Sequence, residues 1–423
     1  MSRPIACFVL IAAFLAPATA TAATRYAAPT GGMVPGCAQI TPCSLEYAIT
    51  AASPGDEVVV TPGQYTVGAT IETETPLWIH GQPGSPKPRV FAADKSVLKS
   101  FAPQRISDLA LESTNNPDGV LFVPADGTVL ERLEIFARGA ESLGLRGGNN
   151  FTMTDTLIFA ENSIDATGVF IQGAGSGSVQ LRNDTIVAEG SNAVGLAVFM
   201  VAKNSALTVE ATNTIASGTR VDALAQKSSE ATGSTVAARF DHSNLDSTEG
   251  AVTSTNGQTA PPHFTPPNPR GFEQAPTSPT IDAGVNDPQN GPFDIRGRPR
   301  ALPGHRSCEI PDPPAITDIG AYEFDPGILP CVPRTQITKF KLRKRRAKVW
   351  FAAAGTQEAV TFRCRLDRRR WQPCASPAVY RRLKPRRHVI KVRAFSPIAS
   401  DQTPAKRKFR VKRPAKSKGV ARR

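Results

Sequence analysis

Ile106-Ser-Asp-Leu-Ala-Leu111 and Leu130-Glu-Arg-Leu-Glu-Ile135 are two copies of one phrase. It returns as Met153-Thr-Asp-Thr-Leu-Ile158, Leu181-Arg-Asn-Asp-Thr-Ile186 and Phe240-Asp-His-Ser-Asn-Leu245. An apolar residue opens each copy and another closes it, with mostly polar residues between. Val209-Glu-Ala-Thr-Asn-Thr-Ile215 reads as a looser copy, one residue longer. Successive copies start 24, 23, 28, 28 and 31 residues apart. Repeats of this size imply a coiled array in which each unit buries its apolar face against its neighbours.

The residues between copies decide which coil it is. The Leu-x-x-Leu-x-Leu frame of leucine-rich repeats, with its Asn or Cys at a fixed place, is absent. Short apolar runs such as Gly119-Val-Leu-Phe-Val123, Gly168-Val-Phe-Ile-Gln172 and Val194-Gly-Leu-Ala-Val-Phe199 sit between Gly/Asn/Ser turns and read as strands. Short strands stacked in parallel make a right-handed β-solenoid, an all-β fold rising about 4.8 Å per rung. Asn and Asp at the corners tolerate the left-handed backbone that tight turns require. Leu111, Ile135, Ile158, Ile186 and Leu245 are the expected inward ladder. Asp108, Asp155 and Asp184 fall near one place in their copies and read as polar corner residues.

Val58, Val60, Tyr65 and Leu77-Trp-Ile79 extend the strand pattern upstream. The coil is therefore expected over 55–255. Leu45, Ala48, Ile49 and Ala52 share one helical face. Residues 24–54 thus read as an N-terminal cap whose short helix covers the first rung, where open strand edges would otherwise be exposed.

Two sets of phrases carry a resemblance. Tyr26-Ala-Ala-Pro-Thr-Gly31, Cys37, Pro42-Cys-Ser-Leu45, Gly55-Asp56 and Pro62-Gly-Gln-Tyr65 resemble the opening of secreted bacterial right-handed parallel β-helix repeat proteins. Ser278-Pro-Thr-Ile-Asp-Ala-Gly284, Asp294-Ile-Arg-Gly-Arg-Pro-Arg300 and Asp318-Ile-Gly-Ala-Tyr-Glu323 resemble the choice-of-anchor Q domain. The resemblance spans residues 26–325. It implies an extracellular surface protein in which 256–334 form a closing segment. It supplies no reaction.

Arg3, the apolar run Ile5 to Leu15 and the small residues up to Ala23 read as a secretory signal peptide over 1–23. No later segment reads as a transmembrane span. Cys7 falls inside that peptide, leaving six cysteines for an oxidising compartment. Nearness in sequence favours structural disulfides Cys37–Cys43, Cys308–Cys331 and Cys364–Cys374. No Cys-x-x-Cys occurs and the five His are scattered, so no metal site is expected from them.

Charge divides the chain. Residues 335–423 hold 29 Lys/Arg against Glu358, Asp367 and Asp401, a net of +26. The whole chain carries +14, so 1–334 carry −12. Strand-like runs alternate with turns over 335–413. Thr361-Phe-Arg-Cys-Arg-Leu-Asp367, Trp371-Gln-Pro-Cys374 and His388-Val-Ile-Lys-Val-Arg-Ala394 resemble bacterial immunoglobulin-like modules, which implies a small β-sandwich. Unlike those relatives, this chain has basic turns. Arg368, Arg369, Arg370, Arg381, Arg382, Arg386 and Arg387 are the candidate anion-binding residues. Residues 414–423, mostly Lys/Arg/Pro/Ala, read as a disordered basic tail.

Catalytic signals are thin. A glycosidase needs two carboxylates facing one cleft, and a lyase needs a base with clustered acids for Ca²⁺. No Asp-Asp pair lies on a rung, and His242 stands alone. No cofactor is expected, with Ca²⁺ at Asp282, Asp294, Asp318 and Glu323 the one candidate. Aromatics make up 7% of the chain and mostly occupy strand interiors, so stacked sugar platforms look sparse. The reading is an exported, non-enzymatic, monomeric surface protein. Its basic end meets anionic cell-wall polymers or extracellular glycans rather than nucleic acid. The alternative is an extracellular polysaccharide lyase or glycoside hydrolase acting on an acidic glycan.

Overall fold

The computed structural model describes residues 22–162, 164–265, 271–302, 315–325, 333–354, 360–396, 400–401 and 403–413. The repeating phrase forms an all-β parallel solenoid. One sheet holds ten parallel strands stacked rung on rung, from Thr24–Gly32 to Val252–Thr255. The strand Thr24–Gly32 pairs with Glu57–Val60, so this sheet begins inside the stretch read as a cap rather than at residue 55. A second sheet of fourteen strands supplies the other sides. Its long strand Glu134–Gly147 pairs first with Leu157–Glu161 and then with Ala166–Gly173, carrying the sheet round a bend.

The phrase explains the packing. Its closing residues Leu111, Ile135, Ile158 and Ile186 lie in register on successive strands. They and Leu245 are buried as expected, Ile158 completely. The looser copy turns out to be regular. Leu181 pairs with Ala211 and Ile186 with Ala216, so Ala211–Ala216 is the phrase, with alanine standing where leucine was sought. Behind the ladder the backbone approaches closely. A Cβ on Gly144 would meet the Gly168 carbonyl at 2.6 Å and Ile158 at 2.4 Å, so only glycine fits there.

The third residue of each phrase turns a corner in the left-handed region. Asp108, Arg132, Asp155, Asn183, Asn213 and His242 have φ between 45° and 58°. Asn and Asp suit this backbone. Asp184 is a correction to the expected corner column, because it sits one residue further on. It is fully buried and accepts from the Thr156 and Arg182 amides, both at 2.9 Å.

The helix Leu45–Thr50 is N-capped by Ser44, whose hydroxyl accepts from the Tyr47 amide, and it buries Leu45, Ala48 and Ile49 in the coil core. The Cys37–Cys43 disulfide is present beside it. Cys308 and Cys331, the signal peptide and the 414–423 tail lie outside the described residues.

Beyond the coil, residues 271–302 and 315–325 form a strap with little regular structure. Phe272, Ile295, Ala321 and Tyr322 pack on the outward side chains Phe136, Leu157, Phe159 and Val187. The three anchor-like phrases therefore meet the flank of the middle rungs.

The described strands from Arg334–Arg343 to Ala405–Arg410 form two antiparallel sheets, of three and four strands. Val349 and Phe351 from one and Leu366, Ile390 and Val392 from the other share one core. Cys364–Cys374 is bonded there.

Candidate functional site

The basic residues are ordered by strand alternation. Along Thr361–Leu366, Cys364 and Leu366 point into the core and Arg363 and Arg365 point out. Along Arg387–Phe395, His388, Ile390, Val392 and Ala394 are buried, leaving Arg387, Lys391 and Arg393 on the other face. Antiparallel pairing sets Arg363 opposite Arg393, Arg365 opposite Lys391, Lys391 opposite Lys406 and Arg387 opposite Arg410. Like charges placed directly opposite destabilise a sheet. None of these seven cations has a carboxylate partner among the described residues. Trp371 lies under two of them, with the Arg365 and Arg393 guanidinium carbons 4.9 and 5.3 Å from its ring. The Nε atoms of both arginines are buried and have no hydrogen-bond acceptor.

The three-stranded sheet repeats the arrangement. Lys341 pairs with Lys348 and Arg343 with Arg346. The Lys339 and Lys348 ammoniums stand 5.4 and 4.8 Å from the Trp350 ring. Cation–π attraction holds both pairs of cations on apolar platforms at little cost in hydration.

Of the turn residues expected to bind anions, Arg387 joins the four-stranded face. Arg386 is engaged at 3.1 Å by Asp367, which also meets His388 at 2.9 Å. Burial works to raise the Asp367 carboxyl, yet the Val389 amide and His388 hold it below the usual carboxylate range. Arg368, Arg369 and Arg370 occupy the exposed turn after Leu366. Arg381 and Arg382 are exposed beyond Ala378–Tyr380, a strand of the other sheet. The two sheet faces were missed by looking at turns. Their signal is the cation–apolar alternation in Arg363-Cys-Arg-Leu366 and Lys391-Val-Arg-Ala394.

A second polar cluster pins the strap to the coil. Arg300 donates at 2.7 Å to the corner residue Asp155 and at 3.2 and 3.0 Å to the Gly320 and Ala321 carbonyls. Asn183 donates to Asp155 and to the Asn290 carbonyl, and Asn213 donates to Asn183 and to the Val285 carbonyl. Asp318 accepts from the Asp282 and Phe324 amides, both at 2.7 Å. Asp294 accepts from the Arg296 and Arg298 amides, and Glu323 from the Leu302 amide. Burial pushes Asp155 up to about 6 against the pull of Arg300. Burial raises Asp318, and the neighbouring Glu323 charge raises it further; burial raises Glu323 as well. Asp294, Asp318 and Glu323 act as acceptors for strap amides, and Asp155 for the Arg300 guanidinium. Among the described residues, no three His, Cys, Asp or Glu side chains are grouped as a metal site.

The coil exterior also departs from expectation. Phe122 and Phe170 face outward, and the Arg146 guanidinium lies 5.3 and 5.9 Å from their rings. Trp78 stacks on His80 with Arg105 above it, so all three tryptophans of the chain carry a cation.

Fold and site together define a parallel β-solenoid protein with a flank strap and a small antiparallel module that is basic on both faces. Among the described residues no helix is long and apolar enough to cross a membrane. No protein-family model matches the chain, and no curated protein matches it. Among solved structures it is similar to the crystal structure of pectate lyase Pel9A. Identity there is 14%, covering 72% of this chain and 97% of that one, with a TM-score of 0.34. It is also similar to the crystal structure of Escherichia coli ybhc, at 12% identity over 62% of this chain and 71% of that one, with a TM-score of 0.23.

Proposed function

We propose that the chain is an exported, non-enzymatic cell-surface protein whose coil is held at the envelope by its basic end. In this reading the strap is a choice-of-anchor Q-like segment and the two C-terminal sheets an immunoglobulin-like module. The disulfides Cys37–Cys43 and Cys364–Cys374 support an oxidising location. The observation that carries the reading is the ladder of like charges Arg363–Arg393 and Arg365–Lys391–Lys406, set opposite one another with no carboxylate between them. A sheet face so arranged gains stability when a polyanion covers it. The partner is an anionic envelope polymer, and Arg368 to Arg370, Arg381 and Arg382 extend the positive field around it.

Co-sedimentation of the full chain with purified teichoic acid tests this. Binding is expected at low ionic strength and should fade as the Debye length falls from about 10 Å at 0.1 M to about 3 Å at 1 M salt. Replacing Arg365, Lys391 and Arg393 together by Ser should weaken it strongly. Equal binding by that variant, or binding indifferent to salt, overturns the reading.

A further inference from the structure

The coil carries a second surface that the basic module does not explain. On the side formed by Leu121–Val123, the second half of Glu134–Gly147, Ala166–Gly173 and Val194–Met200, one outward residue per rung lies in strict register. Lys99 pairs with Phe122, Phe122 with Arg146, Arg146 with Phe170, Phe170 with Ala197 and Ala197 with Leu224. Their neighbours above and below on the same strands point into the core, so these six form a single exterior column. Five strand spacings make it about 24 Å long.

The column has a chemical order. The Arg146 guanidinium sits between Phe122 and Phe170. Lys99 and Arg146 share one carboxylate, Asp118, at 2.8 and 3.7 Å, and Arg146 Nη2 also donates to Gln172 Oε1 at 2.7 Å. Phe170 continues into an apolar cluster with Ala197 and Leu224. In register, Glu72 precedes Lys99 and Glu249 follows Leu224, so a carboxylate stands at each end.

We propose that this column binds a linear, sparsely charged acidic polysaccharide lying along the coil axis. Phe122 and Phe170 are two rungs apart, about 9.6 Å, the length of a disaccharide unit in an extended chain. The two part-exposed rings supply apolar surface for the sugar rings, and Arg146 between them meets a carboxylate of the same stretch. Neutral glycans would leave the cations without purpose. A polynucleotide carries a charge on every unit and would face Glu72 and a segment of net −12. This site is independent of the basic module and uses none of its residues.

The test is hydrogen exchange on the full chain with oligomeric hyaluronan, a linear glycan with one carboxylate per disaccharide, at physiological salt. Protection should appear in Leu121–Val123 and Ala166–Gly173. Phe122→Ala should shift the hyaluronan concentration that gives half-protection upward by about tenfold or more, and Arg146→Met, which keeps the packing, should do the same. The Arg365→Ser/Arg393→Ser variant should leave coil protection intact. Protection confined to 335–413 overturns the site while agreeing with the basic module as an anion binder. Equal coil protection by a neutral cello-oligosaccharide, or stronger protection by single-stranded DNA, overturns the ligand class.

Discussion

Arg300 Nη2 lies 2.7 Å from Asp155 Oδ1 across 145 residues of chain, and the two side chains are 1% and 6% exposed. This contact joins the strap to a corner of the coil, and Glu323 lies 3.7 Å from the same guanidinium. Arg300→Met removes the cation that contacts both buried carboxyls and leaves Asp155 only the more distant Arg132. Breaking a buried pair in this way costs about 3–5 kcal/mol. A lowered urea midpoint for loss of the strap, with the coil's far-ultraviolet signal retained, is the expected result.

The same carboxyls set an unusual pH dependence. Asp155 is raised to about 6 in the folded state by burial, against about 3.9 in the unfolded chain. A carboxyl raised on folding holds more protons folded than unfolded. Its stabilising contribution is therefore full below the unfolded value and is lost as pH rises through the folded one. Asp318 and Glu323, raised by burial, add to the loss in the same direction. Melting temperature should fall from about pH 4 towards neutrality, and Asp155→Asn should flatten the fall between about pH 4 and about pH 6.

Ile158 is completely buried in the ladder between Ile135 and Ile186. Ile158→Asp places an unpaired charge there and should abolish the cooperative fold. Circular dichroism would show it; a soluble variant melting like the parent contradicts the register.

Much of the coil was legible because its period is local. The phrase marks the inward residues and, at its third position, the corner. Asp184 was misplaced because two polar residues follow each other in Leu181-Arg-Asn-Asp, and only pairing with Ala211–Thr212 shows which one turns. The strap's three phrases could be read as a motif, but their docking could not. Asp155, Thr185 and Asn213 meet partners 72 to 145 residues away, and nothing local encodes that distance. The basic faces were legible in principle, since alternation places alternate cations outward. The Phe122–Arg146–Phe170 column was not, because register between rungs of unequal length decides it.

Lys391 faces Arg365 on one side and Lys406 on the other. Lys391→Thr should relieve both repulsions and place a β-branched residue in the strand, raising the module's stability by up to about 1 kcal/mol. The same change should weaken teichoic acid binding and reduce its salt slope. Calorimetry and co-sedimentation on one preparation would check both.

Cys364–Cys374 and Cys37–Cys43 close loops with sequence separations of 10 and 6. By the loop-entropy estimate each is worth about 2–3 kcal/mol. Replacing Cys364 and Cys374 by Ser should lower the melting of the C-terminal sheets and leave the coil transition where it was.

The strap also fixes how the molecule would carry load. The chain runs from the last rungs into the strap and only then into the basic module. Yet the strap is bonded sideways to Asp155, Asn183, Thr185 and Asn213, part-way along the stack. Tension applied through the C-terminal end therefore enters the coil at mid-height, in shear against its flank. The rungs beyond Asn213, from Val221–Lys227 to Val252–Thr255, stand outside the line of force. They bear none of it until Arg300 and its partners let go.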